Sequence, residues 1–273
     1  MSQRRWLSAL GVAAFAAAVA IAPSSGASSG AEAASSRAAI NGDALSHVGG
    51  PVGDGLDDDA TAQADLASVA GSYALAGAGP DGVTYKGTAK IESIAGEMYK
   101  GKWTIGTEVY QTICIRDADI LSCAWSDSVK DSHDLGVMAY LVDDDDALDG
   151  VWFEAGGTAL GHEVLASGND NLVGSHKIKV GENPDKSKYT GTCDVSLKSG
   201  VLQLDWTLGK AKIRGLGIRN GDVVSVGFSD AGGNYGVLQY KITKGGKVLT
   251  GQWSQTGQKV PGTGTETMTR ASS

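Results

Sequence analysis

Two phrases a hundred residues apart constrain the folding of this chain more than any other feature. GVMAYLVDDDDALDGVW begins at Gly136, and GVLQYKITKGGKVLTGQW begins at Gly236. The echo extends on both sides. Gly71-Ser72 matches Gly174-Ser175, TYKGTAKI from Thr84 matches KYTGTCDV from Lys188, and KWTIG from Lys102 matches DWTLG from Asp205. CIRDADILSCAWSD from Cys114 matches GIRNGDVVSVGFSD from Gly217, and GHE from Gly161 matches GTE from Gly264. The offset stays between 100 and 104 residues, and its small changes fall in turns. Collinear similarity at one spacing marks a duplicated structural unit. The first copy is repeat 1 (71–166) and the second is repeat 2 (174–273).

Each repeat reads as a meander of short strands. In the second copy they are expected at 175–181, 188–197, 201–208, 211–219, 222–229, 235–243, 247–254 and 264–270. Period-two alternation supports them. In VLQLDWTL, Leu202, Leu204, Trp206 and Leu208 share one face, while Gln203, Asp205 and Thr207 share the other. Tyr99, Trp103 and Ile105 oppose Lys100, Lys102 and Thr104 in the first copy. Asn220-Gly221 and Gly245-Gly246 supply residues suited to tight turns. Eight strands in sequence leave two exposed edges unless the sheet closes. The expected fold is therefore all-β. It consists of two tandem homologous meander domains of about eight antiparallel strands each, one per repeat, closed as small barrels. β-Sandwiches or one larger shared barrel are the alternatives. The interior of a barrel this size is filled by side chains or holds one small ligand.

Four aromatic pairs recur between the copies: Tyr85/Tyr189, Trp103/Trp206, Tyr140/Tyr240 and Trp152/Trp253. They are expected to form the core framework, since aromatic rings dominate burial in small β domains. A carbohydrate or small-molecule pocket is the sharper alternative. Gly150 and Gly251, beside Trp152 and Trp253, are expected to make room for aromatic rings on the same face. Glu163 and Glu266 occupy one place in both copies and are expected to bond a neighbouring backbone group or tyrosine.

Familiar catalytic spellings fail, and the sequence implies no catalytic residue, metal site or cofactor. His162-Glu163 begins a zinc H-E-x-x-H motif, but position 166 is Ala. GLGIRN from Gly215 lies between strands and opens no helix for a pyrophosphate. Ser229 in GFSDA lacks the second glycine of a nucleophile elbow. His47, His133, His162 and His176 lack metal-ligand spacing. The run Asp143–Asp146 with Asp149 reads as a solvated turn rather than a calcium loop, whose ligands are spaced differently. The three cysteines allow one disulfide. With Asn220-Gly221 as the turn, the transferred register places Cys114 opposite Leu121 and diagonal to Cys123. A Cys114–Cys123 bridge is expected, with Cys193 left as a buried thiol.

The repeats differ most in charge. Residues 71–166 carry sixteen Asp/Glu and six Lys/Arg, whereas 174–273 carry seven and fourteen. Lys241, Lys244 and Lys247 form a candidate anion-facing surface. Opposite charges that help the two lobes dock are the simpler reading. Nucleic acid is not an expected partner, because the basic-aromatic stripe of single-strand binders is missing.

Arg4 and Arg5 precede an uncharged, alanine-rich run from Trp6 to Ala22, followed by small residues. This is the pattern of a signal peptide, expected over 1–27. The paired arginines also permit twin-arginine export. Residues 28–70 are Ala, Ser, Gly and Asp with few large apolar groups, a composition that favours a disordered linker. The expected product is exported, whether periplasmic, cell-surface or secreted, with no integral membrane segment in the mature chain.

PDG-x-x-Y-x-G-x-x-x-I (Pro80 to Ile91), W-x-I-G (Trp103 to Gly106), G-I-x-x-G-D (Gly217 to Asp222), Y-x-I-x-x-x-G-x-L-x-G-x-W and the closing G-T-E resemble secreted bacterial tandem-repeat β proteins commonly labelled fibronectin-binding proteins. The likeness covers both repeats and rests on glycines, tryptophans and turns. His176 departs from it, standing where repeat 1 has Tyr73. The resemblance implies a non-enzymatic binding or adhesion protein with an extracellular protein or acidic polysaccharide as partner. A barrel carrying a small ligand, lipocalin- or streptavidin-like in architecture, is the alternative, and a hydrolase is a distant third.

Overall fold

The computed structural model describes residues 68–127, 134–143, 146–167, 172–229 and 234–272. The expected signal peptide, most of the linker, His47, His133 and the centre of the Asp143–Asp146 run lie outside the described residues. Sixteen antiparallel strands form. The first eight are β1 (Gly71–Ala78), β2 (Thr84–Ala95), β3 (Met98–Ile105), β4 (Glu108–Asp117), β5 (Ile120–Ser126), β6 (Leu135–Val142), β7 (Leu148–Glu154) and β8 (Gly161–Leu165). Repeat 2 supplies β9 (Gly174–Glu182), β10 (Thr192–Lys198), β11 (Val201–Leu208), β12 (Ala211–Asn220), β13 (Val223–Ser229), β14 (Tyr235–Thr243), β15 (Val248–Gln255) and β16 (Gly264–Arg270).

The strands close into two eight-stranded barrels, but the barrels do not coincide with the repeats. One barrel has the order β1-β16-β15-β14-β5-β4-β3-β2 and the other β10-β11-β12-β13-β6-β7-β8-β9. The expectation of one barrel per repeat is thereby corrected. Each barrel takes five strands from one repeat and three from the other. Strands β6–β13 are contiguous in the chain and make a central barrel. It is inserted into a split barrel built from β1–β5 and β14–β16. The repeat dictates that a β5-type strand pairs with a β6-type strand, but both copies offer equivalent partners. Accordingly Leu238 lies opposite Cys123 at one exchanged seam and Met138 opposite Val226 at the other.

Charge favours this arrangement. Residues 135–166 contain seven Asp/Glu and no Lys or Arg, while 174–229 contain nine Lys/Arg against five acids. The exchange places the purely acidic strands in a barrel with the basic ones, so there is no acidic lobe facing a basic lobe. Opposite charges spread over one surface relieve the self-repulsion each segment would suffer alone.

Three apolar clusters result. Leu75, Ile91, Trp103, Leu121, Tyr240 and Leu249 are among those filling the split barrel. Tyr140, Leu148, Leu165, Leu204, Trp206 and Val226 belong to the central one. The third cluster, with Ile113, Ile115, Val137, Phe153, Leu216, Ile218 and Val237, lies between them and draws on both repeats. It explains why β5 and β13 do not alternate. Ile120–Ser126 is buried at every position, since one face looks into a barrel and the other into the barrel-to-barrel contact. At its centre the equivalent Ser122 and Ser225 meet, Oγ to Oγ, at 2.6 Å. Where the sheets approach most closely, a Cβ on Gly227 would lie 2.5 Å from the Gly236 carbonyl oxygen.

The hairpin register differs from expectation by one residue at each side of the turn. Asp117 pairs with Ile120, and Asn220 with Val223, so the turns are Ala118-Asp119 and Gly221-Asp222. Ala118 (φ 48°) and Gly221 (φ 61°) take the left-handed conformation. Asn220 instead ends its strand, paired with Val223. Cys114 consequently lies directly opposite Cys123, not Leu121, and the two are bonded with their Cα atoms 4.1 Å apart. Cys193 is a buried free thiol.

Candidate functional site

Within the central barrel, three neutral donors converge on one buried carboxylate. The Tyr140 hydroxyl donates to Glu163 Oε1 at 2.5 Å, and the Trp206 indole N–H reaches the same oxygen at 2.9 Å. The Tyr189 hydroxyl donates to Oε2 at 2.9 Å. Glu163 is 1% exposed. Alternation on β8 places it inward while its neighbour His162 faces out and meets Asp149 at 2.7 Å. The H-E pair therefore points to opposite faces and forms no joint site.

The split barrel repeats the cluster. Glu266 accepts from the Tyr240 hydroxyl, from Tyr85 at 2.9 Å and from the Trp103 indole at 3.1 Å. Six of the eight recurrent aromatics thus serve as core framework and as carboxylate donors together. The remaining two, Trp152 and Trp253, have buried indole N–H groups without a hydrogen-bond partner. Their space comes from Gly161 and Gly264, directly across the ladder, where a Cβ would lie 2.4 Å from the ring. Gly150 and Gly251 instead accommodate Tyr140 and Tyr240. Both pairs of glycines thus make room for aromatic rings lying directly opposite them on the neighbouring strand.

Burial raises the carboxyl pKa of Glu163 and Glu266, and their three donors pull in the opposite direction. Tyr140 and Tyr240 are pushed far up, first by burial and then by the adjacent carboxylate. Burial, with Glu163 second, also pushes up the Cys193 thiol, which disfavours the nucleophilic thiolate. The cluster holds a carboxylate and supplies no activated nucleophile.

A cavity of about 240 Å³ opens above Glu163. Trp152, Trp206, Phe228 and Tyr189 wall it with Asn183, Leu208 and Ile213, and the solvent-exposed Glu154 stands at its mouth. The rings touch edge to face or tilted: Trp152 to Tyr189 and to Phe228 at 6.3 Å, Trp206 to Phe228 at 6.1 Å. His176 has both ring nitrogens 2.8 Å from carbonyl oxygens, of Ala166 and Leu172. In the split barrel the positions of Ile213 and Phe228 are held by Tyr110 and Trp125. Their rings meet at right angles, 5.1 Å apart.

Elsewhere the expected residues do not assemble into a site. Lys241 is paired with Asp119 in the split barrel, and Lys244 and Lys247 flank the β14–β15 turn. GLGIRN lies within β12, and Ser229 ends β13. Among the described residues no three His, Cys, Asp or Glu side chains are grouped as metal ligands, and no helix is long and apolar enough to cross a membrane.

Fold and site together define a pair of strand-exchanged antiparallel barrels, one of which has an aromatic-walled interior site with a buried carboxylate. Comparison with known proteins adds no relative: no family model, no curated protein and no solved structure matches the chain. The likeness to proteins labelled fibronectin-binding accordingly rests on the sequence motifs alone.

Proposed function

We propose that this is an exported, non-enzymatic binding protein whose central barrel holds a small ligand in its interior. The observation carrying this reading is the cavity of about 240 Å³ walled by four aromatic rings above a buried, hydrogen-bonded Glu163. Concave, mostly apolar pockets with a few fixed polar groups are the usual form of small-molecule sites, and this one is below the roughly 300–1,000 Å³ of drug-sized pockets. Binding rather than catalysis fits a carboxylate whose three donors are neutral and whose neighbouring Tyr and Cys groups stay protonated. Export fits the Cys114–Cys123 bridge, since disulfides persist in oxidising compartments. Adhesion through Lys241, Lys244 and Lys247 has no comparable geometric support.

Native mass spectrometry of the full chain against a mixture of small metabolites tests the reading. Retention of a ligand by the wild type, but not by I213Y/F228W, which gives the central barrel residue types like those of the split one, is the expected result. No retained ligand, together with no perturbation of the Trp152 and Trp206 indole resonances, would overturn it.

A further inference from the structure

We infer that the ligand of the central barrel is a small organic cation, an alkylammonium or quaternary ammonium group seated over the aromatic walls with Glu163 beneath it. The inference rests on the small-ligand reading and names its chemical class.

The first argument is charge. The cavity lining contains two carboxylates, Glu154 and Glu163, and no Lys, Arg or His. An anion entering would meet like charges in a partly desolvated space. Buried carboxylates are ordinarily paired as well as hydrogen-bonded. The three hydrogen-bond partners of Glu163 are neutral Tyr and Trp donors. A carboxylate offers about four acceptor sites, so one remains available.

The second argument is the walls. Aromatic faces carry negative potential and attract a cation within about 6 Å of the ring centroid, Trp more strongly than Tyr or Phe. Trp152, Trp206, Phe228 and Tyr189 surround one space and provide several such faces.

The third argument comes from the other barrel. Glu266 has the same three donors, but there Tyr110 and Trp125 pack at right angles where the central barrel has Ile213 and Phe228. Three of the differences between the two barrels bear on room and charge. The central barrel has Ile213 and Phe228 in place of Tyr110 and Trp125, and it has acidic Glu154 where the split barrel has Gln255. The first two changes exchange larger side chains for smaller ones, and the third adds negative charge at the mouth. Room and charge therefore change together, in the direction a cation requires.

Indole N–H resonances of the full chain, followed by NMR during titration with tetramethylammonium or with neopentyl alcohol, its near-isosteric neutral counterpart, provide the test. Tetramethylammonium is expected to shift the Trp152 and Trp206 signals at least tenfold more tightly than the alcohol. E154Q is expected to weaken it about two- to fivefold with the fold unchanged. I213Y/F228W is expected to abolish the response. Equal affinity for the alcohol would overturn the cation inference while leaving the pocket reading intact. No response to tetramethylammonium in wild type would also overturn it. The pocket reading then stands or falls on ligand retention in native mass spectrometry.

Discussion

The split barrel and the central barrel share strand order, core types and a buried Glu–Tyr–Tyr–Trp cluster, yet they are closed and filled by different means. The central barrel is contiguous, and its β8–β9 seam is joined by the chain itself. The split barrel closes between β1 and β16, at opposite ends of the folded sequence. An arginine clasp secures that seam. The Arg270 guanidinium donates to the carbonyls of Ala70 and Ser68 at 2.6 Å and to the Tyr73 hydroxyl at 2.7 Å, and lies 5.0 Å from the Tyr73 ring centroid. The repeat-related positions in the central barrel are Ser167 and His176, where chain continuity makes such a clasp unnecessary. The split barrel also has the Cys114–Cys123 bridge where the central barrel has the pair Gly217 and Val226. Extra cross-links thus occur in the barrel assembled from separated segments, and the aromatic-walled cavity over Glu163 lies in the barrel that is continuous.

The largest expected effect tests what the barrels share. E163L or E266L leaves two tyrosines and a tryptophan indole without their acceptor. At about 1–3 kcal/mol per buried unsatisfied donor, each should cost about 4 kcal/mol in denaturant unfolding. A much smaller loss at Glu163 alone would break the equivalence and mark that carboxylate as functional rather than structural.

Removing the bridge probes a difference. C114S/C123S should destabilise the protein by about 2–3 kcal/mol, as expected for a loop of about ten residues. Hydrogen exchange should accelerate in β4 and β5 more than in β12 and β13. The Arg270 clasp is smaller. R270A should cost about 2 kcal/mol, since hydrogen bonds to charged groups contribute roughly 1.5–3 kcal/mol but these are partly exposed. The increased exchange should appear at β1 and β16, with β8 and β9 unaffected.

The smallest effect is pH dependence. Glu163 and Glu266 have folded pKa values raised above the ordinary 4.5. The folded state then binds more protons than the unfolded one, so their contribution is fully present below pH 4.5 and is lost as pH rises through the folded values. Denaturation midpoints should fall modestly across that window, and E163Q/E266Q should flatten the fall. Tyr140, Tyr189 and Cys193, which face Glu163, remain protonated there and do not compete. Affinity for tetramethylammonium should rise over the same interval as Glu163 ionises. Affinity that is constant or falling with pH would separate the cation from that carboxylate.

Much of this was legible in the residues. Alternation in VLQLDWTL placed Leu202, Leu204 and Trp206 inside, and the repeat identified the aromatic pairs and Glu163 with Glu266. The recurrent aromatics admitted a small-molecule pocket as an alternative, but the full lining of the cavity was not legible. It depends on Ile213 and Phe228 lying above Glu163, and no spacing in the chain brings 163, 213 and 228 together. The hairpin register was missed because β5 and β13 are buried on both faces. Their composition therefore gave no alternation to fix which residues formed the turn.

The sequence by itself determined the strand types, their order and the duplicated core, because each follows from local periodicity and from the repeat. The cost of exposed edges favoured closure but left sandwiches and one shared barrel open. Tertiary structure decided which copy completes which barrel. Equivalent strands present equivalent pairing surfaces, so local preference cannot distinguish them. The charge balance of the exchanged segments favours the observed choice. That choice places β8, with Glu163, in the same barrel as Ile213 and Phe228, and so produces the site.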